Sequence, residues 1–225
     1  MAEHPFHFTP AERETPLARL LLAHGAGAPM TSPFMDKVAG LLAARGIAVA
    51  RFEFPYMAAR RDGGRKRPAP KAETLTAAYI AAVQRLVESA PDAATAPLLI
   101  GGKSLGGRVA SLVADELHAA GRIAGTVVLG YPFHPPGMPE KLRTAHLAGM
   151  TAPMLIIQGE RDPFGSREEV EGFALSPSIS FHWAGDGDHD LGPRGGKGFT
   201  RQGNLEAAAD AVAAFASGLP RKGLP

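Results

Sequence analysis

The stretch that most constrains this chain is Leu98-Leu99-Ile100-Gly101-Gly102-Lys103-Ser104-Leu105-Gly106-Gly107-Arg108. A short apolar run halts at a serine fenced by glycines, and a helical pattern starts at once beyond it. This predicts a strand, a sharp turn and a helix, with Gly102 to Gly106 fitting G-x-S-x-G. A serine at the tip of such a turn sits in a strained backbone conformation. Side chains two residues away would strike the helix or the adjacent strand, so glycines stand there. The turn lifts the serine oxygen above the sheet edge. It also aims the N–H of Leu105, the first free donor of the new helix, at the place where an oxyanion would form.

Two other readings compete. G-x-S-x-G arises by chance in glycine-rich chains, and this one has 27 glycines. A chance match would be a tight strand-to-helix connection with an inert serine. Gly102-Lys103-Ser104 also matches the end of a phosphate-binding loop, but that motif needs a glycine five residues before Gly102, where Pro97 stands. The intervening residues read as strand, which argues against an NTPase.

At 225 residues the chain is expected to form one domain, 1–225, with 1–16 and 218–225 flexible. Hydrophobic residues make up 45% and charged residues 20%, a soluble globular composition. No apolar run approaches about 18 residues, so no membrane partner is expected. Met1-Ala2-Glu3-His4-Pro5 lacks the basic-then-apolar form of a secretory signal, which makes a cytoplasmic location the expectation. The absence of cysteine excludes disulfides, thiolate metal sites and a cysteine nucleophile. A net charge of +2 gives no reason to expect nucleic acid. No metal or organic cofactor is implied.

Taken in order, the chain alternates strands and helices. Phe6 and Phe8 suggest a short edge strand. Leu17 to Ala23 reads as a strand buried on both faces, running into His24-Gly25-Ala26-Gly27. Ser32-Pro33 starts a helix that stops at Arg45-Gly46. Ile47 to Phe54 is the second strand, ended by Pro55. Ala59 to Lys71, with Arg60, Arg61, Arg65, Lys66, Arg67 and Lys71 against Asp62, reads as a basic loop. Helix follows from Lys71 to Ala90, strand from Leu98 to Gly101, and helix from Leu105 to Ala120. Ile123 to Leu129 and Pro153 to Gln158 read as strands, Ser166 to Phe173 as a short helix, and Ser178 to Trp183 as the last strand. Thr200 to Ser217 closes the chain as helix. Right-handed crossovers would then bring His24, the basic loop, Ser104, Asp162 and His189 to one sheet edge.

Serine is a poor nucleophile unless a base takes its proton, and the base needs an orienting anion. On sheets with a nucleophile turn these follow in the order serine, acid, histidine. The chain supplies Ser104, then Asp162 in Gly159-Glu160-Arg161-Asp162-Pro163, then His189. His4 and His7 lie in the N-terminal tail, His118 in a helix, His134 and His146 ahead of Asp162, and His182 within a strand. His24 precedes the serine and suits a loop whose backbone N–H faces the reacting carbonyl. Asp186, Asp188 and Asp190 flank His189, but Leu191 and Lys197 stand where a calcium loop needs glycine and glutamate. One of these acids remains a fallback partner for the imidazole.

His24-Gly25-Ala26-Gly27, Arg51-Phe52-Glu53-Phe54-Pro55, Gly101 to Arg108, Gln158 to Asp162 and Gly187-Asp188-His189 together resemble a small, capless α/β-hydrolase family often described as dienelactone-hydrolase-like. They are also similar to the hydrolase-like subunit of a nuclear lysine-acetyltransferase (NSL) complex. The resemblance implies an α/β-hydrolase fold: a mostly parallel central sheet, helices on both faces and no lid domain. It implies Ser104, Asp162 and His189 as a triad, with the N–H groups of Ala26 and Leu105 as oxyanion hole and Gly25 as the alternative to Ala26. True dienelactone hydrolases use cysteine where this chain has serine.

The expected activity is esterase or thioesterase chemistry on a small acyl ester. His24, Lys103, Arg60 and Arg61 are candidate substrate contacts, the cations being suited to a carboxylate or phosphate on the substrate. The alternative is a non-catalytic interaction protein on a hydrolase scaffold, with the basic loop as a docking surface.

Overall fold

The computed structural model describes residues 6–61, 63, 68–89, 96–195 and 198–220. Seven strands form one sheet: β1 (His7–Thr9), β2 (Ala18–Ala23), β3 (Ile47–Phe52), β4 (Leu98–Lys103), β5 (Gly125–Leu129), β6 (Met154–Gly159) and β7 (Ile179–Ala184). Their spatial order is β1-β3-β2-β4-β5-β6-β7, with only β1 antiparallel to its neighbour. The helices are α1 (Pro33–Ala43), α2 (Pro55–Arg61), α3 (Thr76–Ser89), α4 (Leu105–Ala119), α5 (Arg167–Val170) and α6 (Arg201–Gly218), with a 3-10 turn at Ala72–Leu75 leading into α3.

The continuous apolar strands are explained by apolar residues covering both faces of the sheet. On β2, Leu20 and Leu22 enter the core shared with α1 and α6, while Leu21 and Ala23 face the core under α3 and α4. The same alternation recurs on β5 and β6, where Val127 and Ile157 face the first core. Val128 and Ile156 pack instead with Tyr131, Phe133 and Leu147 on the opposite face. Shifting any strand by one residue would exchange these sets, so register and packing fix each other.

Several expectations are corrected. The short edge strand expected at Phe6 and Phe8 forms, with His7–Thr9 paired antiparallel to β3, so the segment 1–16 expected to be flexible is not free throughout. Gly218 belongs to α6, and Leu219 closes the core beneath it. Pro55 does not merely end a strand: it opens α2, where its fixed φ and missing N–H suit a first helical turn. Arg60 and Arg61 therefore stand on a helix end rather than in a loop. Arg65, Lys66 and Arg67 lie outside the described residues. Among the described residues, no helix is long and apolar enough to cross a membrane.

Tyr79 of α3 pins the sheet directly below the serine turn. Its buried hydroxyl accepts from the N–H of Gly101 at 2.8 Å and lies 2.6 Å and 3.1 Å from the carbonyls of Gly101 and Leu21. Tyr79→Phe leaves a buried N–H without its acceptor, which costs about 1–3 kcal/mol. Urea denaturation should show a lowered midpoint with an unchanged slope.

Candidate active site

Ser104 occupies the junction of β4 and α4 with φ 50° and ψ −113°, a strained conformation for a residue with a side chain. The flanking glycines make the turn possible. A Cβ on Gly102 would stand 2.4 Å from the Gly106 carbonyl carbon, and one on Gly106 would stand 2.6 Å from the His24 carbonyl oxygen. Ser104 is the N-cap of α4 but makes no side-chain capping bond, so its hydroxyl is not committed to the helix. Leu105 is the first helical residue, and its N–H has no partner within α4.

Asp162 follows β6 and is buried, and its carboxylate is held on both oxygens. Oδ1 accepts from Phe164 N–H at 2.8 Å, and Oδ2 accepts from the Gln158 amide at 2.9 Å. His189, in the loop after β7, places Nδ1 2.8 Å from that same Oδ2. A proton on Nδ1 satisfies this contact and leaves the Nε2 lone pair available. The Phe164 ring lies 4.3 Å from the imidazole, centroid to centroid, and braces its plane.

Among the described residues no hydrogen bond joins the Ser104 hydroxyl to His189; the two are linked through shared neighbours. Ser104 N–H donates to the Leu129 carbonyl at 3.0 Å. The next residue, Gly130, has φ 68° and packs so closely that a Cβ would stand 3.1 Å from His189 Nδ1. The imidazole and the serine turn thus share the end of β5.

The remaining sequence candidates take different places. His24 is wholly buried: Nε2 accepts from Phe54 N–H at 3.1 Å, and Nδ1 faces the Gly25 carbonyl at 2.6 Å. Both nitrogens are engaged within the protein, which removes it from direct substrate contact. Burial depresses its pKa to about 4, with the Gly25 carbonyl opposing and the Arg60 charge adding to the fall. Lys103 is also buried, and its ammonium donates to the His189 carbonyl at 2.7 Å and pairs with Asp190 at 3.2 Å. Burial lowers its pKa, against the pull of Asp190 and Asp162. Its ammonium is therefore turned toward the histidine loop. Arg61 donates to the buried Glu53 carboxylate at 2.6 Å, whereas the Arg60 guanidinium lies 5.2 Å from the centre of the Tyr56 ring.

The acids beside His189 are committed elsewhere. Asp186 is clamped by Arg194 and Arg161, and these charges hold its carboxyl well below the usual range. Asp188 Oδ1 accepts from the N–H groups of Asp190 and Gly192 and so shapes its own loop. An open cleft of about 360 Å³ is lined by Pro33, Phe34, Lys37, Arg201, Gln202 and Leu205, a set that includes neither Ser104 nor His189.

Tyr56, Gln158 and Phe164 had no assigned role in the sequence. Tyr56 and Phe164 abut the Arg51–Pro55 and Gly159–Pro163 motifs, and Gln158 begins the Gln158–Asp162 motif, but nothing in the local pattern shows which way their side chains turn. Tyr56 Oη donates toward the carbonyls of Ala26, at 3.2 Å, and Gly25, at 3.4 Å.

A strained serine between strand and helix, with an Asp-bound histidine on the same edge of a doubly covered parallel sheet, defines the α/β-hydrolase class. Residues 16–217 match the alpha/beta hydrolase domain family, and the chain belongs to it. The fold is similar to that of dienelactone hydrolase from Anabaena variabilis, with TM-score 0.68, 21% identity, and 92% of this chain and 88% of that one covered. It is similar also to an alpha-beta serine hydrolase homologue from Coxiella burnetii, with TM-score 0.65, 18% identity, and coverage of 94% and 89%. A serine hydrolase described as without lid, from Xanthomonas campestris, matches with TM-score 0.61 at 16% identity, over 97% and 89%.

His24 makes stability depend on pH. Because its folded-state pKa lies below the ordinary 6.5, the unfolded chain takes up the proton first as pH falls. The stabilisation is present above about pH 6.5 and is lost progressively down to about pH 4, a change of about 3 kcal/mol. His146 and His182, both lowered by burial, act in the same direction. Urea midpoints should fall between pH 7 and pH 4.5, and more shallowly in His24→Asn.

Proposed function

We propose that this protein is a serine hydrolase that cleaves small acyl esters or thioesters through an acyl-enzyme. The reading is carried above all by the 2.8 Å contact between His189 Nδ1 and the buried Asp162 carboxylate, which supports an imidazole with Nε2 as its basic atom. In the proposed first step the Ser104 oxygen attacks the acyl carbonyl carbon while His189 Nε2 takes the hydroxyl proton. The imidazolium, stabilised by Asp162, returns that proton to the leaving alcohol or thiol as the carbon–leaving-group bond breaks. Water activated by the same Nε2 then attacks the acyl-Ser104 ester. Release of the carboxylic acid regenerates the hydroxyl.

The charge that develops on the carbonyl oxygen needs preorganised donors. Leu105 N–H qualifies as the first unpaired donor of α4. For the second, peptide geometry favours Ala26 over Gly25. Tyr56 Oη and the His24 ring both engage the Gly25 carbonyl. In a trans peptide the following N–H, that of Ala26, points the opposite way, out of that contact.

A fluorophosphonate probe should label Ser104, and Ser104→Ala should abolish labelling and turnover of p-nitrophenyl acetate while leaving Tm nearly unchanged. Asp162→Asn should lower kcat by about 10³–10⁴, since the imidazole then loses its tautomer partner. Folded wild-type protein that stays unlabelled would overturn the reading and favour a non-catalytic interaction protein on this scaffold.

Arg60 supports a preference for anionic substrates. Its guanidinium packs on the Tyr56 ring, and that ring's hydroxyl binds the Ala26 carbonyl, so positive charge is stationed beside the proposed oxyanion loop. Arg60→Gln should lower kcat/KM for a p-nitrophenyl ester bearing a free carboxylate by about three- to tenfold and flatten its salt dependence. The neutral acetate ester should be unaffected. Equal loss for both esters would remove the charge argument.

A further inference from the structure

We infer that Lys103, the residue before the proposed nucleophile, is a positioning residue that moors the histidine loop to the serine turn. The inference rests on the acyl-transfer reading above and deepens it. A lysine inside a nucleophile turn invites a role in substrate binding, yet this side chain is buried and its ammonium is taken up by other parts of the protein. Nζ donates to the backbone carbonyl of His189 at 2.7 Å and meets the Asp190 carboxylate at 3.2 Å. The Phe34 ring closes it from another side, 5.6 Å from ring centre to Nζ.

Gly130 supplies an independent mark of the same junction. A Cβ there would stand 2.9 Å from the His189 carbonyl oxygen, 3.1 Å from its Nδ1 and 3.1 Å from Lys103 Nζ. The end of β5, the ammonium and the histidine backbone therefore meet at one point, with no space for a side chain between them. Asp162 fixes the ring of His189 through Nδ1, and Lys103 fixes its main chain. The two restraints together determine where Nε2 points.

They reach His189 from different strand ends, β6 and β4. The tether runs from the residue covalently joined to Ser104, so the base is referenced to the nucleophile it must serve. A buried ammonium with a charged partner is costly to leave unpaired, which makes the mooring stiff. Stiffness matters because a misplacement of about 1 Å can cost on the order of 10² in rate.

The test is steady-state kinetics with p-nitrophenyl acetate on Lys103→Met, alongside fluorophosphonate labelling, thermal melting and proton NMR of the low-field imidazole N–H. That resonance is identified by its loss in His189→Gln. Lys103→Met should lower kcat and the labelling rate by about tenfold or more, with KM within about twofold. It should also shift or broaden the imidazole resonance, and Lys103→Arg, which keeps a cationic donor, should recover part of the loss. A folded Lys103→Met with wild-type kcat and an unmoved resonance overturns the inference. If Lys103→Met does not fold, Asp190→Asn decides: a severalfold fall in kcat at constant KM is expected, and wild-type kcat overturns it. Labelling of Ser104 in the wild-type protein is read separately, so loss of the catalytic reading and loss of the mooring are distinguishable.

Discussion

The closeness with which α4 starts against the ends of β2 and β4 governs everything at this edge. Gly102 touches the Gly106-Gly107 backbone, and Gly106 touches the carbonyls of Ala23 and His24, at separations no side chain could share. That approach forces the turn at Ser104 into its positive φ, at a cost of about 1–3 kcal/mol that the surrounding packing must offset. The apolar cores on both faces of the sheet supply the offset, and Tyr79 holds the strand just before the turn. With the turn fixed, the direction of the Leu105 N–H and the height of the His24 loop follow.

Charge at this edge is arranged by the same logic. Buried ionised groups are tolerated where each has partners, and removing one partner strands the other. Asp162 has the Phe164 N–H, the Gln158 amide and the His189 ring; Lys103 has the His189 carbonyl and Asp190; Glu53 has Arg61. His24 obeys the complementary rule. Buried beside Arg60, it is held neutral, with each nitrogen bound to backbone, and it latches the loop after β2 to the chain leaving β3. Two histidines at one edge thus divide the work, one held neutral at neutral pH and one under the proposed mechanism changing state in every cycle.

The parallel sheet was legible because a strand covered on both faces must be apolar throughout, as Leu20 to Ala23 and Ile156 to Ile157 are. The serine turn was legible because sterics leave little but glycine at Gly102 and Gly106. The approach of His189 to Asp162 was legible from their order along the chain, since each follows a strand that ends on the serine's edge. The α2 helix was not legible: proline ends strands and begins helices alike, and only tertiary packing around Pro55 to Arg61 decides between them. The direction of Lys103 was equally hidden. Its one-dimensional context, a lysine beside a serine among glycines, fits an anion site, whereas the three-dimensional context places the carbonyl of a residue far along the chain at its tip.

The loop proposed to supply an oxyanion donor shows why such gaps matter for function. Gly25 and Ala26 carry no side chain able to fix their own peptides, so the direction of their N–H groups has to be imposed by neighbours. The neighbours are Tyr56, presented by the unexpected α2, and His24, presented by β2. A hydroxyl and a ring N–H on the carbonyl side of one peptide leave its N–H pointing to the other side, because a planar trans amide cannot turn one end without the other. A donor meant to stabilise developing charge is useful only if it is already oriented when the charge appears. The aromatic side chain on α2 is therefore tied to the chemistry more tightly than its distance along the chain from Ser104 suggests. Arg60, 5.2 Å from the centre of that same ring, would couple the rim proposed to meet an anionic substrate to the backbone proposed to meet the transition state.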